Sequence, residues 1–165
     1  MLAQQVYQSL LGPILLVSNE TALVGLWFQG QQHYAAHYQL DHIPNQITEP
    51  IRLAETWLDQ YFAGHNTDPK LVPVQPAVTP FQSRVLTALQ RVPYGTTTTY
   101  GELAAAVSTK SARAVGNAIG RNPISLLIPC HRVLGKNGQL TGYAGGLDRK
   151  RFLLQLEQSH TKNGA

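Results

Sequence analysis

Four prolines within twelve residues, Pro69, Pro73, Pro76 and Pro80, divide this 165-residue chain. Each fixes φ and removes a backbone donor, so neither a long helix nor an interior strand runs through the segment. The charge changes sign at the same place. Residues 1–78 carry two basic and six acidic side chains, net −4, whereas 79–165 carry eleven basic and three acidic ones, net +8. We therefore expect two domains, 1–78 and 79–165. A basic second half predicts a polyanionic partner, most simply nucleic acid, against the plainer reading of a solvated basic surface. Hydrophobic residues make up 43% of the chain, enough for a real core. No apolar run reaches the roughly 20 residues of a membrane span. Met1–Val17 has no basic start and holds Gln4, Gln5 and Gln8, so we expect no signal peptide.

In the first half, Gly12–Phe28 predicts a hairpin, with strands Ile14–Val17 and Ala22–Phe28 around Ser18-Asn19-Glu20. Gln32–Tyr38 predicts a further, weaker strand. Leu53, Ala54, Trp57, Leu58 and Tyr61 recur at helical spacing over Ile51–Phe62.

A helix, then two short helices around a tight turn, follow the linker. Thr79-Pro80-Phe81-Gln82 combines an N-cap, a proline at the first helical position and Gln three residues beyond the cap. Phe81, Val85, Leu86 and Leu89 form the apolar stripe of that helix. Thr99-Tyr100-Gly101-Glu102 opens a second helix to about Val107, Ser108-Thr109-Lys110 turns, and Ser111 caps a third to about Gly120. This is a helix-turn-helix pattern. Arg113, Gly116, Asn117 and Gly120 share one face of the third helix, opposite Val115 and Ile119. Glycines inside a helix cost about 1 kcal/mol each. Their offsetting use is close backbone approach, either to another helix or to a nucleic-acid groove. Asn122 before Pro123 suits an Asx turn leading into an expected strand, Ile124–Ile128. Gly135-Lys136-Asn137-Gly138 predicts a hairpin turn, and Asp148 an N-cap for a last helix bearing Phe152, Leu153 and Leu156. Glu157 falls near the expected end of that helix, where the macrodipole disfavours a carboxylate, so a partner is expected for it.

Cys130 is the one cysteine of the chain. It cannot form an internal disulfide or a multi-cysteine zinc site, which leaves an inert buried thiol or a nucleophile. His131 and Arg132 offer a cationic setting that would favour the thiolate. Adjacent strand residues point to opposite faces, so Cys130 and His131 touch only if the chain turns there; otherwise a water links them.

Pro129-Cys130-His131-Arg132-Val133 resembles the active-site signature of the O6-alkylguanine-DNA alkyltransferases of bacterial type, also called methylated-DNA–protein-cysteine methyltransferases. Tyr100-Gly101-Glu102-Leu103-Ala104, Ala112-Arg113-Ala114-Val115-Gly116, Asn122-Pro123-Ile124 and Thr141-Gly142-Tyr143-Ala144-Gly145-Gly146 resemble that family's other blocks, in order. The resemblance runs from about Thr79 to Glu157.

The resemblance implies an α+β protein: a small amino-terminal sheet-and-helix domain, then a winged-helix-like helix-turn-helix domain that binds DNA. It implies irreversible transfer of the alkyl group of O6-alkylguanine to Cys130, one event per molecule. His131 would be the base acting through water, Glu157 would orient it, and Asn122 would order the turn near the sulfur. Tyr100 would contact phosphate and donate to the base. Arg113 would fill the space of the everted nucleotide, with Ala112, Gly116 and Asn117 against the DNA. Val133, Tyr143, Ala144 and Gly145 would line the base pocket, and the Cys130 and Val133 carbonyls would accept from the guanine amino group. The partner would be double-stranded DNA approached from the minor groove, the protein a cytoplasmic monomer without membrane contact. No cofactor is expected. His33, His37, His42 and His65 make a poor metal set and read as surface residues. Ala144, where some relatives place Ser, predicts room for groups larger than methyl and for O4-alkylthymine.

Overall fold

The computed structural model describes residues 1–164. Three antiparallel strands open the chain: β1 (Ala3–Ser9), β2 (Gly12–Ser18) and β3 (Leu23–Phe28), in the order β1-β2-β3. The expected hairpin is β2–β3, pairing Ile14 with Phe28 and slipping register at Val17/Ser18. Asn19 closes its turn, Oδ1 accepting from the Thr21 and Ala22 amides. β1 had no expectation. Its three glutamines disguise an edge strand that buries Ala3 and leaves its other residues at least partly exposed.

Side chains of β2 alternate between two cores with period 2, and those of β3 do so on either side of a break at Gly25, opposite the register slip. Ile14, Leu16, Leu26 and Phe28 enter the main core, whereas Leu15, Val17, Val24 and Trp27 face a second one with Ala35 and Ile43. This corrects the strand expected over Gln32–Tyr38. That segment is a chain of turns covering the second face, with His33, Ala35 and His37 at positive φ. Its apolar residues pack on the sheet instead of pairing with it.

Helix α1 (Glu49–Phe62) is capped by Thr48, with Pro50 in its first turn. Ile51, Ala54, Trp57, Leu58 and Tyr61 are its buried face. The linker then runs along the open side of β3, where Leu23 donates to Pro73 and accepts from Gln75, both at 2.8 Å.

Helix α2 (Pro80–Leu89) is capped by Thr79 as expected. Gln82 does not close a capping box; its side chain donates to the Ala118 and Arg121 carbonyls and ties α2 to that segment. Helices α3 (Tyr100–Ala106) and α4 (Ala112–Gly120) are capped by Thr99 and Ser111 and form the helix-turn-helix. Just before α3, β4 (Thr98–Thr99) pairs in parallel with β5 (Val133–Leu134).

Three further expectations fail. Ile124–Ile128 is not a strand. Leu26 donates to Pro123 O at 2.8 Å and accepts from Ser125 N at 3.0 Å; the chain then turns through Leu126 at φ 71°. The run is apolar because it is buried between the two halves of the chain. Gly135–Gly138 makes a turn but no hairpin, since β5 pairs with β4. Asp148 lies inside the first turn of α5 (Leu147–Gly164), pairing with exposed Arg151, and does not cap it. The length of α5 also places Glu157 in its interior, so the macrodipole argument lapses, although the expected partners exist.

Buried residues of both halves, from Leu16 and Ile51 to Val85, Ile119 and Leu153, belong to one continuous core. Among the described residues, no helix is long and apolar enough to cross a membrane.

Candidate active site

Asn122 builds the platform for the cysteine. Its Oδ1 accepts from Ile124 N at 3.0 Å, and its Nδ2 donates to Ile128 O at 2.9 Å. Both ends of the buried run are thereby held together. The Cys130 amide donates to the same Ile128 carbonyl at 2.8 Å, and Cys130–Arg132 form one 3₁₀ turn. The chain does turn at the thiol, but His131 is directed away to Glu157.

Glu157 gathers donors from four residues in three parts of the chain. Its Oε2 lies 2.5 Å from His131 Nε2 and accepts from Tyr61 Oη at 2.6 Å and Arg132 Nη2 at 3.1 Å. Its Oε1 accepts from Arg132 Nε at 2.8 Å and Gly95 N at 3.4 Å. Burial pushes the carboxyl up, but His131 and Arg132 outweigh it and hold it far below the usual carboxylate range. An ionised Glu157 only accepts, so His131 Nε2 carries the proton in this bond. Nδ1 then holds the lone pair, and it is buried without a partner. Burial also lowers the imidazole below its ordinary value against the pull of Glu157, so His131 is neutral at rest.

The electrostatics correct the expectation for the thiol. Burial pushes Cys130 above its ordinary value of 9.0, opposed by hydrogen bonds with Asn122 and Ser125 and by the charge of Lys150. The resting thiol is protonated. Neither neighbour in sequence supplies the cation: His131 is neutral, and Arg132 is spent on Glu157 and the Val92 carbonyl. Lys150, fully buried on α5, does so. It donates to the carbonyls of Val133 at 2.5 Å, Thr141 at 2.6 Å and Gly142 at 3.2 Å. Burial pulls its ammonium down to about 8, so it is mostly charged at neutral pH. Sequence reading missed Lys150. The signal was its spacing: positions 150, 153 and 157 share one helical face, and the other two were read as buried or partnered.

A cavity of about 470 Å³ opens over the sulfur. Cys130 lines it with Tyr143 and Ala144, two of the four residues expected in the base pocket, and with Tyr100, Arg113, Gly116 and Asn117, which are expected against the DNA. Gly145 and Ala112 are not among the lining residues. Gly145 stands behind the Tyr143 ring, where a Cβ would come within 2.6 Å of it. Val133 is fully buried outside the lining, and its carbonyl is already engaged by Lys150. The α4 glycines are not a helix-packing seam: a Cβ at Gly116 would meet the Tyr100 ring at an ordinary 3.6 Å, and at Gly120 nothing within 4 Å. Arg113 and Asn117 are exposed along this face. Tyr143 Oη is buried without a partner, and burial together with the neighbouring Cys130 pushes its phenol far up. Gln32 and His33 also line the cavity, brought there by a Gln32 N to Ala144 O bond of 3.1 Å. Nothing local in their sequence announces this. Among the described residues, no three His, Cys, Asp or Glu side chains are grouped to hold a metal ion.

Known proteins resemble this chain over most of its length. Residues 2–76 match the family model for the ribonuclease-like domain of 6-O-methylguanine DNA methyltransferase, and 80–159 the model for its DNA-binding domain. A methylated-DNA–protein-cysteine methyltransferase of Haemophilus influenzae is 42% identical over 156 residues, 92% of this chain and 84% of that one. One from Methanosarcina acetivorans is 44% identical over 161 residues, 93% of this chain and 97% of that one. The crystal structure of Mycobacterium tuberculosis OGT in complex with DNA superposes with a TM-score of 0.84 at 39% identity, covering 96% of this chain and 94% of that one.

Proposed function

This chain belongs to the 6-O-methylguanine DNA methyltransferase family, and from that premise we propose how its own residues repair DNA. The reaction moves the alkyl group of O6-alkylguanine in DNA onto a cysteine of the protein, once per molecule. With a single cysteine in the sequence, the acceptor is Cys130. That is the observation that carries the reading: the one thiol lies at the floor of the cavity that α4 and Tyr143 frame.

An alkyl carbon inside a stacked duplex is out of reach, so the damaged nucleotide turns out of the helix into the cavity, at a cost of a few kcal/mol. The open Gly116–Gly120 face of α4 lets the backbone approach the minor groove, and Arg113 enters the stack in place of the lost base. Tyr143 and Ala144 wall the pocket. The Cys130 proton passes through a water to Nδ1 of His131, whose Nε2–H is held by Glu157. Lys150 offsets the sulfur's developing charge. The thiolate attacks the alkyl carbon in line; a C–S bond forms, the C–O bond breaks, and its electron pair goes to guanine. Tyr100, a phenol that burial keeps protonated, donates to the departing base. The thiol proton is replaced by the alkyl group, and guanine regains a proton. A thioether has no hydrolytic exit, unlike the thioester of a cysteine hydrolase. The charge reversal and the two family matches support a division into domains 1–78 and 79–165. The unpaired thiol suits a monomer working in a reducing cytoplasm.

Intact mass after incubation with an O6-methylguanine duplex tests this. One methyl is expected on the wild-type chain, mapping to Cys130, and none on Cys130→Ser, which still binds DNA. Methyl mapped elsewhere, or repeated turnover, overturns it.

A further inference from the structure

We infer that Tyr61, on α1 in the amino-terminal half, is a positioning residue for alkyl transfer, its hydroxyl fixing the carboxylate oxygen of Glu157 that holds His131. The two bonds share one atom: Glu157 Oε2 receives Tyr61 Oη at 2.6 Å and faces His131 Nε2 at 2.5 Å. The Tyr61 ring cannot swing away. It stacks on Trp57 with centroids 5.1 Å apart, meets Phe62 and Tyr94 edge to face, and sets its plane at 73° to the imidazole of His131. The residue is 1% exposed, so no water competes for the hydroxyl. Filling this space alone would need no hydroxyl, and an unpaired one would be costly. Burial and the adjacent carboxylate push the phenol far above its ordinary range, so it always donates.

The consequence is electrostatic as well as geometric. A donor on Oε2 draws charge from the oxygen that faces His131. Without it the carboxylate would favour the imidazolium more strongly, and Nδ1 would be blocked by a proton up to a higher pH. Other charged and titratable groups around this pair stay in place. His131 also faces Arg132 from its own turn and Lys150 from α5; Glu157 faces Arg132, Tyr94 after α2 and Tyr143 before α5. The amino-terminal half thus contributes to the chemistry, through the one side-chain hydrogen bond it makes to Glu157 among the described residues.

This rests on the Cys130–His131–Glu157 reading above, and the experiment separates the two. Single-turnover transfer from an O6-methylguanine duplex at saturating protein is followed between pH 5.5 and 9, with DNA affinity and thermal melting measured alongside. Tyr61→Phe keeps the ring and loses the hydroxyl. It is expected to fold, to bind DNA as wild type does and to methylate Cys130. Its rate constant at neutral pH should fall about 5–10-fold, and its acid limb should move up by about half to one pH unit. Tyr94→Phe, which removes a buried hydroxyl without a partner from the same cluster, is the control and should leave the midpoint unmoved. A Tyr61→Phe profile that superposes on wild type, a lower rate with an unmoved midpoint, or an equal shift in Tyr94→Phe overturns the inference and leaves the relay standing. If His131→Phe does not alter the wild-type profile, the relay itself falls and Tyr61 with it.

Discussion

Asn122 Nδ2 donates to the carbonyl of Ile128 at 2.9 Å, two residues before Cys130, while Oδ1 of the same side chain receives Ile124 N. One amide therefore closes a turn that no ladder of strand hydrogen bonds stabilises. Asn122→Ala leaves Ile124 N without this acceptor in a buried setting, at about 1–3 kcal/mol per unsatisfied group. The midpoint of urea denaturation should fall accordingly, and the alkyl-transfer rate should drop further than DNA affinity. A variant as stable and as fast as wild type would show that the turn holds itself.

Acid sensitivity follows from two buried groups. His131 has a folded value below its ordinary 6.5, so the unfolded chain takes up its proton first and stability falls as pH drops below 6.5. Glu157 is held well below its ordinary 4.5, so its contribution is complete above that value and is lost as pH falls further. Urea midpoints measured from pH 7.5 to 2.5 should decline below about 6.5 and decline further below 4.5. A flat profile between pH 7 and 4 would contradict the charge states assigned here.

Lys150→Met keeps most of the volume but removes the cation beside Cys130 and the donor to three carbonyls. We expect the transfer rate at neutral pH to fall, because the charge of Lys150 is one of the interactions that lower the Cys130 thiol; each pKa unit of thiolate stabilisation lost slows transfer about tenfold. DNA affinity should change little, because the ammonium is wholly buried. Rate and affinity measured separately on the same duplex decide it.

Arg113 is exposed on the rim of the cavity. Arg113→Ala should weaken binding to an O6-methylguanine duplex more than to an undamaged one. If the guanidinium also neutralises a phosphate, the slope of log affinity against log salt should fall by about one. Equal losses on both duplexes would reduce its role to electrostatics.

Ala144 lines the cavity together with Cys130. O6-benzylguanine should be accepted, and Ala144→Leu should slow benzyl transfer more than methyl transfer. Complete refusal of benzyl by the wild-type chain would mean that the pocket is closed by Gln32 and His33, which also line it.

Local chemistry is legible from the chain alone. The caps at Thr79, Thr99 and Ser111, the helical stripe of α1, the β2–β3 hairpin and the Asx turn at Asn122 each depend on residues a few positions apart, so spacing suffices to find them. The residues proposed for the chemistry are easy to single out, because Cys130 and His131 are adjacent and their neighbouring motifs sit close in sequence. Misreadings arise where an apolar run has two uses. Ile124–Ile128 and Gln32–Tyr38 are hydrophobic enough for strands, but they cover other elements and turn as they do so.

Sequence by itself determined which groups could react: one thiol, a neighbouring imidazole, a distant carboxylate and a basic half to meet DNA. Only the tertiary structure decided their states. Folding brings Tyr61, ninety-six positions away, onto the Glu157 oxygen that faces His131, and buries Lys150 where its charge, in place of the adjacent cations, acts on the sulfur. Protonation depends on burial and on charges within a few ångströms, and those distances are set by packing between segments that the linear order keeps apart.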